Sequence, residues 1–287
     1  MDVDSRRTTG NYNRGKRGND IMATIAQAES DRTVSIGRVF SRGFGTIGSN
    51  PLVTIGASFL FGALPSVASL FALQAVQEES LLLLGTSGMV AAGLVSILFG
   101  LVIFAIAQGA LVRATVAHSE GRVASFGETI QAGLTVVIPL ILAAILSSLG
   151  IVVGMLFLLV PGIMLYCAWL VVAPAVVEEK LGPIAALKRS RDLTRGARWN
   201  VFGVVLILVV AQWILSAILG YIAAATMAVD VTSPNILNAM PSSYLALQAV
   251  VQTAIAALYG VIVASLYVEL RNWKDGPATE TLADVFS

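Results

Sequence analysis

The segment from Ala186 to Trp199 carries Lys188, Arg189, Arg191, Arg195 and Arg198, with Trp199 directly behind them. On a helix, Lys188, Arg191, Arg195 and Arg198 recur at spacings of three, four and three and make one cationic stripe. A stripe of this kind meets anionic headgroups at about 1 kcal/mol per charge, and an indole beside it belongs at the membrane–water boundary. The plainer reading of the same residues is that they hold a connection on the cytoplasmic side. A cytoplasmic-side protein partner is the other candidate. Glu178 and Glu179 lie shortly upstream; an ion pair with Arg189 or Arg191 would tie the connection structurally.

Chemistry beyond binding finds little material. His118 is the single histidine and Cys167 the single cysteine, so no disulfide within the chain is available and no thiolate or imidazole cluster has metal-ligand spacing. No phosphate-cradling glycine loop follows a strand-like run. The expectations are therefore no metal, no cofactor, no nucleic-acid partner and no enzymatic activity.

The elements that must position the basic segment are set by hydrophobicity. Hydrophobic residues make up 56% of the chain and charged residues 12%, far more apolar surface than a soluble core can hide. A hydrocarbon layer about 30 Å thick needs roughly 20 apolar residues per helix. Six stretches meet that measure, at about 52–73, 88–112, 134–158, 162–178, 201–227 and 244–268. Residues 130–177 hold no charge at all and are interrupted by Pro161-Gly162, which predicts a tight hairpin of two spans there. The fold class is thus an all-α polytopic membrane protein. Residues 1–33 read as a disordered cytoplasmic tail, 34–274 as the membrane domain and 275–287 as a cytoplasmic C-terminal tail.

Charge placement gives the orientation. All 18 Lys and Arg residues fall in the N-terminal tail, between spans two and three, between spans four and five, or after span six. By the positive-inside rule both termini are cytoplasmic. Three segments at 36–50, 126–135 and 184–199 mix apolar and polar residues at helical spacing and precede spans one, three and five. They are expected to be interfacial helices, so that the chain repeats an interfacial helix plus a hairpin three times.

Inside the spans, Gly88, Ala92, Ser96 and Gly100 recur every four residues and offer a smooth groove to another helix; intramolecular packing is one use and a dimer face the other. Pro161 and Gly162 belong to the same packing group. Gln212, Gln248 and Gln252 either bond between helices or line a cavity. No span centre carries an ionisable residue, which argues against ion-coupled transport. Pro139 and Pro174 could still break helices, so uncoupled transport stays open.

The run from Pro161-Gly162 through Glu178 to Ala186-Leu187-Lys188-Arg189-Ser190, Leu193, Gly196 and Trp199 resembles the YciC-like bacterial membrane proteins. These are similar to the membrane domain of glycerophosphoryl diester phosphodiesterases. The resemblance implies an all-helical, six-span architecture in a bacterial inner membrane. Phosphodiesterase chemistry does not carry over, because those hydrolases use a pair of histidines with metal-binding acids, and the catalytic domain is expected to be absent. The combined reading is a non-enzymatic membrane protein whose basic interfacial helices engage anionic lipid or a partner, with a role in phospholipid or envelope homeostasis. The alternative is a carrier for a small or lipidic solute.

Overall fold

The structure, a computed structural model, describes residues 34–59, 63, 80–226 and 242–276. It is built from helices: α1 Ile36–Ser49, α2 Pro51–Ser58, α3 Ser80–Ser119, α4 Phe126–Thr135, α5 Val137–Phe157, α6 Leu159–Trp169, α7 Val172–Glu179, α8 Pro183–Thr194, α9 Arg198–Thr226 and α10 Ser242–Asp275. Among the described residues five stretches are long and apolar enough to cross a membrane: Gly93–Ser119, Val137–Phe157, Leu159–Glu179, Arg198–Ile222 and Ala246–Asp275. The chain is an all-α polytopic membrane protein. Most of the first expected span, 52–73, lies outside the described residues, as do the 1–33 tail and most of the 275–287 tail.

Local chemistry explains the helix starts. Ser35 caps α1 by accepting from the Arg38 amide, and Ser125 caps α4 by accepting from the Glu128 amide, each supplying one of the acceptors that a helix start lacks. Every described proline, at 51, 139, 161, 174 and 183, falls in the first turn of a helix, where the missing N–H forfeits no intrahelical bond. Pro161-Gly162 was expected to be the hairpin turn itself. The reversal occurs instead at Leu158, whose backbone is extended, and Pro161 and Gly162 lie within α6. Gly162 is packed there: a Cβ on it would lie 2.8 Å from the Met155 Cα. Pro161 stays exposed.

The segments expected at the interface form α1, α4 and α8, with one correction. Helix α8 stops at Thr194 and does not run on to Trp199. Gly196 has φ +99°, a backbone state that side chains disfavour, and α9 begins afresh at Arg198. The single cationic stripe on one helix is therefore divided between α8, the joint and α9.

Helix α10 is central, touching α1, α2, α3, α7, α8 and α9. Val39, Val112, Val176, Leu193, Val201, Ile262 and Tyr267 meet in one fully buried cluster. That cluster lies toward the end of the bundle where α1 and α8 pack, and Val39, Ala186 and Leu193 of those two helices complete it. Helices α5 and α9 form the outer wall, with only 17% of their most apolar windows buried, against 56% for α6–α7 and 50% for α10. The spans also run further than expected: α3 reaches Ser119 and α10 reaches Asp275, carrying charged residues to the same end.

Candidate functional site

Charged side chains of the described residues gather at that end, and most of the arginines there are neutralised. Glu269, 6% exposed, accepts from Arg38 at 2.7 Å and Arg42 at 3.4 Å. Arg113 bridges Glu128 at 2.9 Å and Glu178 at 3.3 Å. Arg122 joins Glu120 and Glu128. Burial works to raise the Glu128 carboxyl, but hydrogen bonds from Arg122 and Arg113 outweigh it and hold the group below the usual carboxylate range. Arg189 binds Glu179 at 2.8 Å and also Asp275. The Asp275 hydrogen bond and, against the cost of burial, the Glu179 one push the Arg189 guanidinium further toward its charged form. Tyr267 completes this group by donating to Glu179 at 2.9 Å.

Lys188, Arg191, Arg195 and Arg198 differ. None has a carboxylate partner among the described residues within ion-pair distance, and all four border one hollow of about 710 Å³, with Asp192, Gly196 and Trp199 completing its wall. The Arg198 Nε is buried without a hydrogen-bond partner, an arrangement that costs free energy until an acceptor arrives. Trp199 is 84% exposed and meets Phe202 edge-on at 6.1 Å. Four cations around one concavity, one carboxylate among them and an exposed indole at the rim are suited to an anion that arrives at a membrane surface.

The joint that shapes the hollow has its own supports. A Cβ on Gly196 would lie 3.0 Å from the Trp273 ring, so this position requires glycine for both backbone and space. On the opposite face of α8, fully buried Ser190 and Thr194 turn away from the hollow. Ser190 donates to the Ala168 carbonyl at 2.8 Å, where the break between α6 and α7 interrupts the helical ladder, and Thr194 donates back to the Ser190 carbonyl at 3.0 Å. Sequence reasoning missed this pair, although two hydroxyls four apart on a basic helix signal a buried face. Thus Arg189, expected with the binding residues, belongs to the ion-pair network, and Glu178 pairs with Arg113 rather than with Arg189 or Arg191.

The remaining expected residues are dispersed. Gln212 donates to Ser216 on its own helix at 3.2 Å and borders an apolar cavity of about 290 Å³. Gln252 borders a second cavity, of about 210 Å³, with Gln108 and Ser58. Gln248 borders neither, so the three glutamines do not face one cavity. Along α3, a Cβ on Gly100 would meet nothing within 4 Å, Gly88 is half-buried, and at Ala92 and Ser96 only the helical backbone is described. The close helix crossing of α3 is at Gly109, where a Cβ would overlap the Gly133 Cα of α4. His118 hydrogen-bonds Ser49 at 3.0 Å and does not join Glu178 and Glu179. Among the described residues no three His, Cys, Asp or Glu side chains could hold a metal ion.

No curated protein and no solved structure matches the chain. A family model described as a domain of unknown function, DUF7847, matches residues 34–270, which span α1 through nearly all of α10. The chain belongs to the DUF7847 family.

Proposed function

We propose that this protein is a non-enzymatic multi-pass protein of the inner membrane, termini cytoplasmic, that holds an anionic lipid by its headgroup at the basic hollow. The observation that carries this reading is the contrast within one charged end. Arg38, Arg42, Arg113, Arg122 and Arg189 are matched by carboxylates, whereas Lys188, Arg191, Arg195 and Arg198 surround one hollow without such partners. A mere retention signal needs charge on the right side; it does not need four cations to converge. The likeness of residues 161–199 to YciC-like proteins is part of the same proposal and fits a role in phospholipid or envelope homeostasis.

Native mass spectrometry of gently extracted protein tests it. Lys188→Gln, Arg191→Gln, Arg195→Gln and Arg198→Gln combined should abolish retention of anionic phospholipid, at about 1 kcal/mol per charge, while the protein stays folded. Equal retention by wild type and variant contradicts the proposal. A carrier for a small solute is the second reading, favoured by the cavity where Gln108 and Gln252 meet Ser58, whose buried hydroxyl has no hydrogen-bond partner.

A further inference from the structure

The hollow and the apolar cavity lie on one helix. Trp199, at the rim of the hollow, is followed along α9 by Phe202, Leu206, Val209 and Trp213 at spacings of three, four, three and four, which puts them on one face. Trp199, Leu206, Val209 and Trp213 are exposed, at 84%, 50%, 41% and 73%. Val209 and Trp213 then enter the wall of the cavity, whose other side is formed by Tyr166, Ala254 and Tyr259. At 1.5 Å per residue, Val209 lies about 15 Å and Trp213 about 21 Å beyond Trp199. Half the hydrocarbon thickness is about 15 Å, so a phospholipid chain whose headgroup sits in the hollow reaches the near end of the cavity, at Val205 and Val209, and stops short of Trp213.

The chemistry of the cavity suits a chain and not a polar solute. The Tyr166 and Tyr259 hydroxyls hydrogen-bond each other at 2.7 Å, and Gln212 is engaged by Ser216. These three polar groups at the wall thus have partners within the protein, and most of the remaining lining is apolar. A volume of about 290 Å³ lies at the lower edge of small-molecule sites, about 300 Å³, which fits part of one chain.

We propose that the hollow and the cavity are the two halves of a single site for an anionic diacyl phospholipid, the phosphate held by the basic residues and one acyl chain laid along α9 into the near end of the cavity, beside Val209. This rests on the headgroup reading above and adds to it a demand on the chain. The site consequently selects lipids by chain as well as by charge.

The test compares retention of dioleoyl phosphatidylglycerol, dihexanoyl phosphatidylglycerol and glycerol 3-phosphate, in detergent, by native mass spectrometry. Wild type should retain the long-chain lipid about tenfold better than the short-chain one, since each buried methylene adds affinity. Ala254→Phe, at an exposed position of the cavity wall, should remove that preference while leaving short-chain and glycerol 3-phosphate binding unchanged. Ala211→Phe fills the same cavity from α9 and should act alike, which guards against a folding defect of either variant. If both folded variants keep the wild-type chain preference, or if wild type shows none while the basic residues still govern binding, the chain half is wrong and the headgroup reading stands. Loss of any dependence on Lys188, Arg191, Arg195 and Arg198 overturns both.

Discussion

Glu269 shows what the sequence could and could not disclose about single residues. Its carboxylate is 6% exposed and takes Arg38 and Arg42 together with the Ser35 amide, from positions more than 200 residues away. Nothing in the local pattern links these residues, because the pairing exists only once α1 lies on α10. The same holds for Arg189, which sits amid the basic run yet is consumed by Glu179 and Asp275. The basic cluster was legible as composition; which of its members are unpaired became visible only in three dimensions. Replacing Glu269 by Gln takes a buried carboxylate away from Arg42, 21% exposed, and Arg38, 40% exposed, so the charge left behind stays partly solvated. The expected result is a loss of about 1 kcal/mol, reduced by that solvation and read as a lower unfolding midpoint in detergent, whereas Arg122→Gln, whose partners Glu120 and Glu128 are 50% and 35% exposed, should change it less.

At the level of elements, the three interfacial helices could be anticipated because their signals are local: Ser35 and Ser125 as caps, Pro183 as an opener, and mixed polarity at helical spacing. Two boundaries were misread for opposite reasons. Pro161-Gly162 suggests a turn by residue type, but a proline in a first turn is compatible with helix, and the chain had already reversed at Leu158. Gly196 carried a stop signal that the regular spacing of the basic residues concealed. Its positive φ and its contact with Trp273 fix the angle between α8 and α9, and hence the shape of the hollow. Gly196→Ala should cost about 1–2 kcal/mol from the backbone alone, more with the displaced indole, and should weaken anionic-lipid retention without removing any charge. A variant that unfolds at a lower temperature yet binds as before would show that the joint does not shape the site.

For the whole molecule, the buried core and the charged network occupy the same end of the bundle, while α5 and α9 expose apolar walls along their length. Polytopic architecture followed directly from hydropathy, since helices that cross lipid must satisfy their own backbones. The asymmetry of packing was not legible: it depends on α10 gathering contacts from α1, α2, α3, α7, α8 and α9, and on the small pair Gly109 and Gly133 letting α3 and α4 approach. A packed, ion-paired charged end beside an apolar outer wall is what a headgroup site at the membrane boundary requires. The claim that joins these features is that phosphate sits against Arg198 and its unpaired neighbours, and not against the matched arginines. Carbon–phosphorus dipolar recoupling in bilayers containing phosphatidylglycerol, with arginine guanidinium carbons labelled and assigned, measures that proximity. The account expects lipid phosphorus to dephase the Arg198 signal strongly and the Arg189 signal weakly; equal dephasing of the two, or none at Arg198, would contradict it.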